Sequence, residues 1–261
     1  MIGRVVVGLL VGFMTLPTAV VVVASFNPTA ILSFPPEGLS LRWYENALTY
    51  AQFQRAAVNS VIVTGASALL ALPIGTAAAL ALVRCPLRAR GFWSAMLLSP
   101  LIIPGVAIGL GFLILAARFG LLANRAVLIA VHTVLVLPFV IRSVAVSVAN
   151  LDPQLERAAA SLGARPRRVF RRVTLPLLRP GLFAAVLFAV IVSVNEFVVS
   201  LFVSTRVTEI LPVAMFTYVV NYTDPTMAAL STLFIGATLI AVLLTDRLLG
   251  LSRILHIGDD R

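Results

Sequence analysis

The sequence has 261 residues, 60% of them hydrophobic and 11% charged, and its mean hydropathy is +1.05. That leaves too little polar surface to clothe a water-soluble globule of this length and excludes an independent soluble catalytic domain. The net charge of +10 comes from twenty arginines, with no lysine, against ten acids. In so apolar a chain this charge speaks to topology rather than to a nucleic-acid partner.

Apolar windows lie at about 5–25, 58–83, 92–116, 126–148, 181–203 and 227–249, each long enough to cross a hydrocarbon core of about 30 Å. They are continuous rather than alternating in polarity, which predicts helices and not barrel strands. The expectation is an all-α membrane protein with six spans in a single domain. The first window exceeds a signal-peptide core and no small-x-small cleavage site follows it, so it is read as a retained span. Residues 27–57 form the longest external connection. Asn27, Pro28, Pro35, Pro36 and Gly38 mark turns there, and Trp43 and Tyr44 suit either the membrane interface or a partner's surface. Pro17, Pro73, Pro100, Pro104 and Pro138 fall inside windows and predict kinks, tolerable where a neighbour satisfies the freed carbonyl. Cys85 is the one cysteine, so no internal disulfide or cysteine-based metal cluster is possible. Arg4, then Arg84, Arg88 and Arg90, then seven arginines from Arg157 to Arg179, then Arg247, Arg253 and Arg261 fall on one side of a six-span count. The positive-inside rule makes that side, with both termini, cytoplasmic.

One polar stretch, residues 149–180, separates the fourth and fifth windows. Asp152 is a predicted N-cap, with Pro153 at the first helical position and Glu156 in the first turn, and Gly163 suits a left-handed C-terminal cap. A second helix is expected to begin near Pro166 and to end at Pro176. Leu155, Ala158, Ala159 and Leu162 share a narrow face. Arginines at 165, 167, 168, 171 and 172 suit lipid headgroups or an acidic partner equally.

This stretch resembles the membrane subunits of ATP-binding-cassette importers, whose signature is Glu-Ala-Ala, three residues, Gly, nine residues, then Ile-x-Leu-Pro. Here stand Arg157-Ala158-Ala159, Gly163 and Val173-Thr174-Leu175-Pro176, with both spacings intact. Arg157 occupies the glutamate position and Glu156 stands just before it. The resemblance implies the type I importer permease fold and a bacterial inner-membrane location. It also implies a coupling helix that docks on the ATPase through Glu156, Arg157, Ala158, Ala159, Gly163, Val173, Leu175 and Pro176. The partners it implies are an ATPase dimer that holds ATP and magnesium, a second permease subunit, a periplasmic substrate-binding protein and membrane lipid. No cofactor is expected on this chain. The segment from Ser33 to Tyr44 and the stretch Leu211-Pro212-Val213 look like the spermidine/putrescine class, although permeases for ferric ion or thiamine share much of this layout.

Glu196 lies in the fifth window, where an ionised carboxylate needs a wet cavity or a partner. Counted from the cytoplasmic helix ends at 1.5 Å per residue, Glu196 and His132 both stand about 23 Å up. Glu196, Asn195 and His132 are therefore candidates to line a path for a polycation. Hydrogen bonds among Glu196, Asn195 and Ser193 without any substrate contact fit the sequence equally. A Glu196–His132 proton relay is the corresponding reading for a secondary transporter. An intramembrane enzyme finds little support, since His-Glu-x-x-His and Gly-x-Ser-x-Gly are both missing from the sequence.

Overall fold

The computed structural model describes residues 2–30 and 34–249, and for residues 2 and 241–249 it describes the backbone alone. Ser33, Arg253, His256 and Arg261 lie outside the described residues. Among those described, the regular structure is helical, with no strand. This follows from continuous apolar runs whose backbone groups must be paired within the segment. Three helices, Gly3–Ala24, Ala51–Arg84 and Arg125–Ala149, are each long and apolar enough to cross a membrane, and the number rises to at most five if each of two bent helix pairs counts as one span.

Residues Val58–Pro212 form one compact unit. It contains most of α3 (Ala51–Arg84), α4 (Arg90–Leu98), α5 (Gly105–Arg118) and α6 (Arg125–Ala149). It continues with α7 (Pro153–Ser161), α8 (Pro166–Val169), α9 (Leu175–Leu177), α10 (Arg179–Val194) and α11 (Val198–Val203). Asn124 caps α6, its side chain accepting from the Ala126 N–H at 2.8 Å. The core joins Ala71, Ala79 and Leu82 of α3 to Val136, Val140, Val144 and Val148 of α6 and to Ala185 and Ala189 of α10. In lipid such a core is held by van der Waals fit rather than by water exclusion, which is why small residues fill two of its three walls. Gly181 marks the tightest approach. A Cβ there would overlap Ser147 of α6 and come within 3.0 Å of the Ser143 carbonyl.

Two expected spans are broken. The third window is not one helix, for the chain bends by 91° between the segments Arg90–Leu101 and Gly105–Arg118. Pro104 is extended, with ψ 133°; its ring disfavours a helical Ile103, so the helix restarts at Gly105. The fifth window ends early, at Val194, and resumes at Val198. The second helical segment, from Pro166, ends at Leu177, one residue past the expected Pro176. A π turn at Phe170–Thr174 precedes it, and that wider turn relieves the clash of a proline ring with the carbonyl four residues back. Helix then continues through Leu177.

Residues Met1–Ala57 and Val213–Arg261 form the other unit, with α1 (Ile2–Ala24), α2 (Arg42–Thr49), most of α12 (Leu211–Asn221) and α13 (Thr226–Leu249). The most apolar stretch of α1 is 0% buried. The external connection is more ordered than its turn residues suggest. Trp43 is neither an interfacial anchor nor a partner contact: it is 3% exposed, and its indole N–H donates to the Asn27 carbonyl at 2.6 Å. Asn46 donates to Thr226 at 2.8 Å, and the Tyr218 hydroxyl donates to Asp224 at 2.8 Å.

Candidate functional site

The polar segment is built as its caps dictate. Asp152 Oδ1 accepts from the Gln154 N–H at 2.9 Å with Pro153 in the first turn, so α7 begins where its backbone donors need an acceptor. At the other end the Ala164 N–H reaches Ala159 O at 3.1 Å and the Gly163 N–H reaches Ala160 O at 2.9 Å. Gly163 has φ +81°. That double closure requires a left-handed residue, which glycine supplies without a Cβ clash. No residue of α7 is buried. Leu155 and Leu162 are 48% and 88% exposed; Arg157 and Ala158 are exposed, and Ala159, Val173 and Pro176 half-buried.

Glu156 behaves differently from its neighbours. It turns back into the unit, where its carboxylate accepts from Arg84 Nη1 at 2.9 Å and forms a very short hydrogen bond with the Thr174 hydroxyl. Burial alone would raise its pKa. The Thr174 hydrogen bond, with the hydrogen bond and charge of Arg84, outweighs that and holds the carboxyl below its ordinary 4.5. Glu156 thus ties α7 to the end of α3 and to the π turn. The adjacent Arg157, at the family's glutamate position, points outward.

The second group surrounds the break between α10 and α11. Asn195 Nδ2 donates to the Ile191 carbonyl at 2.8 Å, closing the last turn of α10. Glu196 Oε1 accepts from the Val199 N–H at 2.8 Å, capping α11. His132 spans the gap from α6: Nδ1 meets Ser193 Oγ at 2.8 Å and Nε2 meets Ser200 Oγ at 2.9 Å. Ser193 also meets Thr64 of α3 at 3.0 Å. His132 is 1% exposed, whereas Asn195 is exposed and Glu196 half-buried. The three candidates therefore divide, with His132 a buried staple and the other two at an open face. Among the described residues no hydrogen bond links His132 to Glu196, which leaves a proton relay unconnected. Sequence reasoning missed Arg84, Thr174, Thr64 and Ser200. The available signal was a polar series on α3, Asn59, Ser60, Thr64 and Ser67, all of it buried.

Fold and site define a polytopic α-helical membrane subunit with a capped helix displayed outside the apolar core. Residues 2–251 match the family model described as "Binding-protein-dependent transport system inner membrane component". The chain is 30% identical over 250 residues to the spermidine/putrescine transport system permease protein PotC of Escherichia coli (strain K12), covering 93% of each chain. It is 32% identical over 241 residues to the putrescine transport system permease protein PotI of the same organism, covering 89% of this chain and 85% of that one. A putative 2-aminoethylphosphonate transport system permease protein, PhnV of Salmonella typhimurium (strain LT2), is 30% identical over 92% of this chain and 91% of its own. In fold the chain matches a component of a bacterial ABC transporter that imports the acidic polysaccharide alginate, with TM-score 0.75, 16% identity and 94% coverage of both chains. The chain belongs to the binding-protein-dependent transport-system inner-membrane component family and is the membrane component of an ABC importer. It is a multi-pass protein of the bacterial inner membrane.

Proposed function

We propose that this chain forms half of the translocation path of an ATP-driven importer for polyamines or similar small organic cations, and that α7 couples it to a separate ATPase. The observation that carries the coupling half is α7 itself: a capped helix with no buried residue, held from behind by Glu156, with Leu155, Arg157, Ala158 and Leu162 free for a partner. ATP and magnesium reside on the ATPase dimer. A second permease subunit completes the path, and a periplasmic binding protein delivers substrate. The arginine-rich side and both termini face the cytoplasm. The names of PotC and PotI support a polyamine, and the half-buried Glu196 and exposed Asn195 suit the passage of a cation.

Co-purification from membranes tests the coupling. Replacing Ala159 and Gly163 together with bulky residues is expected to release the associated ATPase while the permease stays folded. Uptake into proteoliposomes of the complete transporter tests the substrate. Spermidine or putrescine accumulation is expected, and 2-aminoethylphosphonate uptake without either would reassign it.

A further inference from the structure

Beyond the α7 face, the polar segment holds a second feature, a cluster of arginines. Among the described residues, Arg165, Arg167, Arg168, Arg171 and Arg172 line one open concavity. All five are exposed. Among the described residues the one ion pair is Arg84–Glu156, so none of the five has an acid beside it. Arg167 with Arg171, and Arg168 with Arg172, are like-charge pairs four residues apart, a spacing that weakens a helix unless a counter-charge arrives.

Their place in the chain says what that counter-charge is. Leu178 alone separates the segment Pro166–Leu177 from the apolar helix Arg179–Val194, with a bend of 64° between them. Arg172 precedes the start of α10 by seven residues, so the arginines stand on the polar segment that leads directly into an apolar helix. Phe170 and Leu177 of the same segment are 38% and 44% exposed, giving apolar anchors beside the charges. Guanidinium forks bind phosphate oxygens in pairs and are held there by fixed geometry as well as charge.

We propose that the five-arginine concavity is a binding site for phosphate-bearing anions, occupied in the membrane by the headgroups of anionic phospholipids. Lipid bound there fixes the segment that joins α7 to α10.

The test is hydrogen exchange of the amides of residues 166–178 in the full chain, reconstituted in phosphatidylcholine vesicles with and without phosphatidylglycerol. Phosphatidylglycerol is expected to slow exchange in this segment, with inorganic phosphate added to neutral vesicles giving little protection. The protection should weaken by about fivefold for each arginine replaced by glutamine, as about 1 kcal/mol per arginine at a charged membrane surface requires. The variants are R171Q, R172Q and their pair. R125Q, outside the concavity, should leave the protection intact, and R171K should keep more of it than R171Q. Equal exchange in both vesicles, or a phosphatidylglycerol effect undiminished in R171Q/R172Q, overturns the proposal. Equal protection by inorganic phosphate overturns the lipid as its source. Protection that arises only when the ATPase is added shows an acidic protein surface to be the occupant, and overturns the proposal as well.

Discussion

Replacing Glu156 with alanine removes both contacts that hold α7 from behind. The Arg84 pair is partly exposed, 34% and 21% for the two side chains, so screening limits its contribution to about 0.5 kcal/mol. Thr174 is 2% exposed, and orphaning its hydroxyl costs about 1–3 kcal/mol. The sum, about 2 kcal/mol, lowers the free energy of local opening and should reduce amide protection across residues 153–161 by about thirtyfold. Glu156→Gln keeps an acceptor for Thr174 and gives up the charge, so its loss should be about twofold. Exchange measured by mass spectrometry on the reconstituted chain reads both. Equal protection in all three proteins, or equal losses for the two variants, would refute the assignment of Glu156 as an inward tether.

The pH response of the same tether has a fixed sign. Because the folded pKa lies below the ordinary 4.5, its stabilisation is complete above that value and fades only as pH falls through the lower folded value. ATPase retention on pull-down should therefore stay level from pH 8 to pH 5 in the native chain. Glu196→Gln should keep the α11 cap and its stability while lowering uptake of a cation, whereas Glu196→Ala loses about 1 kcal/mol of capping too. Denaturation in mixed micelles and proteoliposome uptake separate the two effects. His132→Leu orphans the Ser200 hydroxyl at 0% exposure, while Ser193 keeps Thr64, and should cost about 1–3 kcal/mol in the same denaturation assay. Gly181→Leu forces α10 away from Ser147 and should cost about 1–3 kcal/mol; an unchanged midpoint would show that the two helices are not in close contact.

Much of this was legible in the sequence, for reasons that differ by element. Long apolar runs dictate helices because lipid offers backbone groups no partners, and α3 and α6 match their windows closely. The caps of α7 were readable because Asp-Pro and a glycine act locally. The breaks were not, since a proline in a membrane helix can kink, break or pass according to its neighbours: Pro138 lies inside an unbroken α6, while Pro104 stops one helix before the next begins. At the fifth span no proline or glycine marks the interruption at all. Side-chain hydrogen bonds from Asn195 and Glu196, and a histidine sixty-one residues earlier, stabilise ends that local pattern cannot reveal. The inward turn of Glu156 was equally hidden, because Arg84 reaches it across seventy-two residues.

The cap on α11 has a thermodynamic corollary. Glu196 Oε1 is already engaged with the Val199 N–H, so a cation that drew on that oxygen would compete with the first turn of a helix. Occupancy and helical order would then be linked reciprocally: such a cation would fray the turn, and whatever tightened the turn would weaken its hold. An acidic side chain free of such duty would hold its guest with nothing in the protein to dislodge it.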